Sequence, residues 1–347
     1  MRLRVLGVLA VSVALALLVT GCPKKDKKPT DEPKKDPTAE PTKPEPAPGA
    51  LPADEAYASG KASVAKLEVE TKMDVPNMGP EGKVGDDVKT AQAGSVFKQT
   101  MMVTDDRGTM VFNTDNSYVP KGTELRYNPQ HKKYVLADAG KKTYWAMTGA
   151  EIGNLLEGGP TMKRSNYTIK ITETKEKETI AGVEAVRSDA DLAFDWAVKT
   201  KSGDKTGKIK VKLAIWHSAD EKLKEPWGDM IVDFFTVPFQ DAEGQKVVDE
   251  LKSKVKFPVK WSMEVVNEGK EKDKDDANAK LLTEAKSLEV AEVDRARLAS
   301  PPSGYKPATG PYEFGEGGQT IGEDLLAKLP AKKGKPPKDV EPPEDKK

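Results

Sequence analysis

From Ala65 onward this chain alternates: Leu67, Val69, Thr71, Met73 and Val75 fall on one face of an extended segment, and Lys66, Glu68, Glu70 and Lys72 on the other. A period of two belongs to a strand with one buried and one wetted face, and such a strand finds its partners in an antiparallel sheet. The pattern returns over 96–103, 109–112, 123–127, 133–137 and 143–147. Asp105-Asp106-Arg107-Gly108, Asn128-Pro129-Gln130-His131 and Asp138-Ala139-Gly140-Lys141 separate these stretches. The connections are short and rich in turn formers, so consecutive strands are predicted to be hairpin neighbours. Tyr167, Ile169 and Ile171 restart the alternation, and further strands are expected over 184–187, 192–199, 209–216, 261–266 and 287–293.

Helices interrupt this pattern in few places. Asp54-Glu55 suits the first turn of a short helix within 53–65, and Thr148-Gly149-Ala150-Glu151 is a capping box closed by Gly158-Gly159-Pro160. The stretch 230–239 is apolar on every side except Asp233 and Thr236, with Pro226 fit to start a helix and Pro238 to end one. A helix apolar all round is buried on more than one face. A second, amphipathic helix over 241–254 turns Val247, Val248 and Leu251 inward, and the charged run 267–280 reads as a long hairpin tip. About ten strands in one sheet do not stay flat. The predicted fold is therefore mostly β (α+β): a single curled antiparallel sheet, a half-barrel, with helices packed on its concave face.

The chain opens differently. Arg2 and Arg4 precede an apolar run over 5–19, about fifteen residues and thus short of the roughly 20 that a membrane span needs. Val19-Thr20-Gly21-Cys22 follows, and it is similar to the bacterial lipobox. That resemblance implies that residues 1–21 are a leader and that Cys22 becomes an acylated N-terminus held in membrane lipid. Pro23 stands where Asp commonly retains a lipoprotein at the inner membrane, so the expected location is the cell envelope, with the outer membrane favoured. Residues 22–52, built largely of Pro, Lys, Asp, Glu and Thr, bury too little to offset ordering entropy and are expected to be a disordered tether. The folded domain is expected over 53–307. A mostly disordered tail follows over 308–347, with a short helix at 320–329 opened by Thr320-Ile321-Gly322-Glu323. The chain holds 56 basic and 56 acidic side chains and loses Arg2 and Arg4 with the leader, a balance that gives no electrostatic case for nucleic acid.

Several segments carry a resemblance. Leu125-Arg126-Tyr127-Asn128, Tyr134-Val135-Leu136-Ala137-Asp138 and Lys142-Thr143-Tyr144-Trp145 look like paired strands of the periplasmic lipoprotein-carrier-like (LolA/LolB-like) proteins and of a related domain family of unknown function. So do Glu178-Thr179-Ile180-Ala181-Gly182-Val183-Glu184-Ala185, Lys212-Leu213-Ala214-Ile215-Trp216-His217, and Val293 with Pro301-Pro302-Ser303-Gly304-Tyr305. The likeness covers roughly 60–307. It implies an open barrel with a helical lid over a cavity that accepts acyl chains. Membrane anchoring and long charged insertions depart from the carriers.

Reactive groups are sparse. Cys22 is the only cysteine, and acylation would consume its thiol. His131 falls in a turn and His217 ends a strand; they are the only histidines, without metal-ligand spacing or a Ser or Cys nucleophile context. The stretch from Asp273 lacks the fifth-position oxygen and the turn Gly of a calcium loop, having Ala277 and Asn278 there. No catalytic residue, metal or cofactor is nominated, and the chain is read as non-enzymatic. What remains is apolar: Trp227, Met230, Ile231, Phe234, Phe235 and Phe239 on the candidate lid helix, with Trp145 and Trp216 on strands, form the candidate ligand-binding set. A filled core and a lined cavity use the same residue types, so two readings stand. One is an envelope lipoprotein that binds an acyl chain or lipidated peptide. The other is a structural lipoprotein with a solid core that meets an envelope protein partner.

Overall fold

The computed structural model describes residues 49–74, 95–114, 121–152, 162–200, 203–268 and 279–308. The leader, the tether up to 48, most of the run 267–280 and the segment 320–329 lie outside the described residues. Six strands come first: β1 (Lys61–Asp74), β2 (Ser95–Val103), β3 (Gly108–Phe112), β4 (Thr123–Asn128), β5 (Lys133–Asp138) and β6 (Thr143–Met147). Three long ones follow: β7 (Met162–Ile180), β8 (Val183–Thr200) and β9 (Gly203–Ser218). Helices α1 (Glu225–Thr236) and α2 (Gln245–Lys254) then precede β10 (Phe257–Glu268), β11 (Ala279–Asp294) and the short β12 (Lys306–Pro307).

All twelve strands join one sheet in the order β12-β6-β5-β4-β3-β2-β1-β11-β10-β9-β8-β7. Two meanders meet at its centre, where β1 pairs with β11 over Lys61 to Asp74. The hairpin neighbours predicted from the turns are present. Asn128 Oδ1 accepts the His131 amide and Asp138 Oδ1 the Lys141 amide, each at 3.0 Å, which explains why an Asn and an Asp begin these two turns. Ala181 and Gly182, both at positive φ, make the two-residue turn between β7 and β8. The sheet is mixed rather than purely antiparallel, because β12 runs parallel to β6. It is not closed into a barrel: β12 and β7 are its two ends.

Three expectations need correction. The 53–65 segment is not a helix; only a turn occupies 55–57 before β1 begins, and Asp54 is drawn out of local bonding by a distant arginine. The strands expected over 184–187 and 192–199 are one continuous β8, and β7 extends far beyond Ile171. These strands persist through polar stretches because the neighbouring backbone pairs with them on both sides of an irregularity, Glu173 with Ser188 before it and Lys177 with Val186 after it. Helix α2 starts at Gln245, since Asp241 Oδ1 accepts the Glu243 and Gly244 amides at 3.1 and 2.8 Å and holds 241–244 in a turn.

Both faces of the sheet are covered in part. One bears the main apolar cluster, to which α1 and α2 contribute. On the other, residues 49–60 and 295–308 lie as a strap over two smaller clusters, Val64, Met102, Val293 and Leu298 beside Tyr57, and Val135, Ala137, Tyr144 and Ala146 beside Leu51 and Tyr305. A buried ion pair fastens the strap: Arg107 Nη1 donates to Asp54 Oδ2, which also accepts the Ser300 amide at 3.1 Å. The Arg107 guanidinium lies 3.6 Å from the centre of the Tyr57 ring. Arg126 Nη1 donates to Ala299 O at 2.5 Å and Asn128 Nδ2 donates to Ser300 O, so the returning C-terminal segment is held by β4 as well.

Candidate functional site

Helix α1 begins with Pro in its first turn, as the sequence predicted, and its last residues tighten into a 3-10 turn over Val237–Phe239 around Pro238. Its approach to the rest of the protein is set by two glycines. A Cβ on Gly228 would overlap the carbonyl of Lys256, and one on Gly108 at the start of β3 would overlap the Phe234 ring. The absence of a side chain at these places lets the helix seat directly on backbone.

Six of the eight candidate residues meet on this element. Trp227, Met230, Ile231, Phe234, Phe235 and Phe239 are all buried. Phe235 stacks on Trp261 of β10 with ring centres 5.2 Å apart. Phe234 meets Tyr134 of β5 edge-on at 6.0 Å, and Phe239 meets Phe194 of β8 at 5.9 Å. Trp145 is half-buried on β6 beside the same cluster, where the backbone of Gly49 lies against its ring. Trp216 is buried in the same cluster but has no ring pairing with α1. It sits opposite Lys260, the neighbour of Trp261, and so shares the face that α1 does not cover. There the Lys260 ammonium and the Arg187 guanidinium lie 4.6 and 5.2 Å from its ring centre. Strand alternation from Ile215 already put Trp216 on that side.

The two polar exceptions of α1 are satisfied locally. Thr236 Oγ1 donates to Val232 O at 2.6 Å. Asp233 accepts Lys252 Nζ of α2 at 2.7 Å, which pins the two helices together. Burial raises the Asp233 carboxyl above its ordinary range, outweighing the opposing pull of Lys252. Next to it, Tyr134 Oη lies 3.0 Å from Gln240 Oε1 and 3.3 Å from Asp233 O, and burial holds this phenol well above its usual value. The α1–α2 connection is tied to the β7 edge by Arg164, which donates to Pro238 O at 2.8 Å, and by Tyr167, which donates to Asp241 at 2.7 Å.

One pairing escaped the sequence. Ser188 Oγ lies 3.0 Å from His217 Nε2, although the residues are 29 apart in the chain. The Lys256 amide donates to His217 Nδ1 at 3.4 Å, which makes Nδ1 the acceptor and leaves the proton on Nε2, facing Ser188. Burial lowers the His217 pKa below its ordinary value and favours that neutral form. This tautomer donates to the serine and is the wrong one to take its proton as a base. His131 is exposed in its turn. Among the described residues no group of three His, Cys, Asp or Glu side chains is placed to hold a metal, and no helix is long and apolar enough to cross a membrane.

The described residues thus define a class: a mostly β protein with few helices, built on a twelve-stranded mixed sheet that is not closed into a barrel. No family model matches the chain and no curated protein matches it. Among solved structures, an uncharacterized conserved protein from Thermus thermophilus is similar at 7% identity over 74% of this chain and 93% of that one, with a TM-score of 0.30. A likeness at that level carries no argument.

Proposed function

We propose that the chain is an envelope lipoprotein, anchored through acylated Cys22, whose sheet bends round α1 as a half-barrel and holds an acyl chain or lipidated peptide against its apolar face. The observation that carries this reading is the reach of α1. Phe234 touches β5 and Phe239 touches β8. Five residues of helix advance about 8 Å, and with the reach of the two phenylalanine side chains and their ring contacts added the Tyr134 and Phe194 rings are at most about 28 Å apart. Eight strand spacings separate β5 from β8 in the sheet order, which in a flat sheet is roughly 38 Å. The difference supports a sheet curled round the helix, with the helix on the concave side. A half-barrel with an apolar interior and a helical hairpin inserted between β9 and β10 is suited to long apolar ligands. The lipobox supports the anchor, and Pro23 after Cys22 favours the outer membrane.

A second reading is favoured by the pairing of the helix side chains. Phe234, Phe235 and Phe239 each already have an aromatic partner on the sheet, as they would in a filled core. On that reading the protein is a structural or interaction lipoprotein of the envelope, and its partner is another envelope protein. One experiment addresses both the anchor and the ligand. The protein is purified from membranes, its N-terminal peptide is weighed, and the folded protein is extracted with organic solvent. The proposal expects a diacylglyceryl mass on Cys22, loss of membrane association in Cys22→Ser, and a stoichiometric acyl species in the extract. An unmodified cysteine removes the anchor; an acylated protein with an empty extract leaves the second reading.

A further inference from the structure

Across four adjacent central strands, the face covered by α1 carries a polar row that none of the foregoing uses. Thr71 of β1 stands opposite Thr283 of β11, and Thr283 stands opposite Trp261 of β10. Gln99 of β2 completes the row beside Thr71. These side chains alternate with members of the main apolar cluster: Gln99 lies between Phe97 and Met101, Thr71 follows Leu67 and Val69, and Thr283 lies between Leu281 and Ala285. Thr71, Gln99, Thr283 and Trp261 are 0, 1, 1 and 2% exposed.

The hydrogen bonds of the row run in one direction. Thr71 Oγ1 donates to Gln99 Oε1 at 3.2 Å. Its single proton is then used, so the 2.9 Å contact between the two threonine hydroxyls is a donation from Thr283 to Thr71. The amide oxygen of Gln99 is occupied, and its Nε2 is left buried with two N–H groups and no acceptor. At the other end of the row the Trp261 indole N–H is also buried without an acceptor. The indole N–H groups of Trp196, Trp216 and Trp227 share that state, and among the described residues Gln99 Nε2 is the one carboxamide nitrogen to do so; a buried donor without an acceptor calls for a partner. A ladder needed only to fix strand register would be complete with the threonines; the glutamine adds donors that it cannot use. What complements them is an acceptor oxygen, whereas an amine or a bare hydrocarbon gives them nothing.

We infer that Gln99, oriented by Thr71 and Thr283, is the recognition point for the acceptor end of an acyl ligand, a carboxylate or ester carbonyl oxygen, whose chain lies along the apolar wall beside it. This rests on the acyl-binding reading above and adds polarity to it: the ligand enters with a fixed end against β1, β2 and β11. Phe235, stacked on Trp261 next in the row, places α1 over the same region.

The test uses the full chain in lipid nanodiscs and three photoreactive probes with matched diazirine-bearing chains: palmitic acid, its phosphatidylcholine ester, and hexadecane. Labelled peptides are mapped by mass spectrometry. The expected result is labelling of peptides from 61–74, 95–103 and 279–294 by the acid or the ester at least tenfold above the alkane. Labelling by the acid alone identifies a free fatty acid, and by the ester alone a lipid. Gln99→Met, matched in length, should bring the preferred probe down to the level of the alkane in the same variant. If Gln99→Met does not fold, Thr71→Ser, which keeps the donor, should retain the preference and Thr71→Val should lose it. Equal preference in wild type and variants overturns the role of Gln99 and leaves the half-barrel reading intact, with water serving the row. No labelling of these strands by any probe overturns the acyl-binding reading itself.

Discussion

Replacing Asp54 with Asn tests whether the strap outside the sheet is held by charge. The Asp54 and Arg107 side chains are 2% and 3% exposed, so the pair is as buried as the apolar core. Asparagine keeps the shape and still offers an oxygen to the Ser300 amide, which Asp54 accepts at 3.1 Å. What it removes is the buried counter-charge of a guanidinium that cannot lose its proton, leaving only the exposed Asp106 carboxylate 3.8 Å from Nε. Breaking a buried pair by removing one partner costs about 3–5 kcal/mol, mostly the penalty of the charge left behind. The stacking of Arg107 on Tyr57 survives the substitution, which puts Asp54→Asn near the lower end, about 3 kcal/mol. Asp54→Ala, which also strips the Ser300 amide of its acceptor, should cost about 1–3 kcal/mol more.

The double variant Asp54→Leu with Arg107→Met decides the mechanism. It buries no charge, and apolar replacements of buried pairs are often neutral or stabilising. It still leaves the Ser300 amide without its acceptor, so it should cost about 1–3 kcal/mol, well short of the sum of the single changes. Urea unfolding followed by tryptophan fluorescence reads this directly, because a loss of about 3 kcal/mol moves the midpoint by more than about 1 M for usual slopes. Hydrogen exchange should speed up first in 49–60 and 295–308 in the single variants. A loss below about 1 kcal/mol in Asp54→Asn, or a double variant as damaged as the sum, would refute the account of the strap as a charge-locked layer.

Other outcomes follow from the site. Gly108→Ala pushes a methyl group into the Phe234 ring and should destabilise by about 1–3 kcal/mol, measured by calorimetry; no loss would mean that α1 does not rest on β3. Phe235→Ala should cost about 3–5 kcal/mol if the stack on Trp261 is part of a filled core, and a loss under about 1 kcal/mol would mean that the ring borders open space. His217 has a folded pKa below its unfolded value, so the unfolded chain takes up the proton first as pH falls. Its contribution is complete above pH about 6.5 and is lost as pH drops through the lowered folded value, by up to about 1.4 kcal/mol per pH unit. Urea midpoints at successive pH values should show this decline in wild type and a flatter profile in His217→Gln.

The short strands β2 to β6 were legible because apolar residues recur along each and an Asn, Asp or Gly stands at its end or within two residues of it. Helix α1 was legible for the opposite reason: only a helix buried on several sides tolerates ten residues as apolar as 230–239. The full lengths of β7, β8 and β11 were not, since segments such as Thr172 to Thr179 carry no apolar period, and pairing with β8 on both sides of the irregularity between Glu173 and Lys177 carries the strand through. The strap was invisible in principle. Asp54 lies 53 residues from Arg107 and 246 from the Ser300 amide, and no local pattern joins them. For Trp216 the sequence held the answer, because alternation from Leu213 and Ile215 puts it on the opposite face, and its bulk alone made it a candidate.

The same alternation that exposes the core also conceals the polar row. Thr71 sits in phase with Leu67 and Val69, and a β-branched threonine fits a half-buried strand without remark. Only the pairing of β1 with both β2 and β11 brings Gln99 and Thr283 to its side. The polar groups of α1 then offer a comparison within one protein. Asp233 has Lys252, Thr236 has the Val232 carbonyl, and Tyr134 has Gln240, whereas the Trp227 indole N–H of the same helix has no acceptor. Gln99 has its oxygen answered and its nitrogen left over, at the centre of the sheet where neighbours are most numerous. A buried amide satisfied on one side only is the observation on which the acceptor-end inference rests, and its two unused N–H groups are what the Gln99→Met comparison removes.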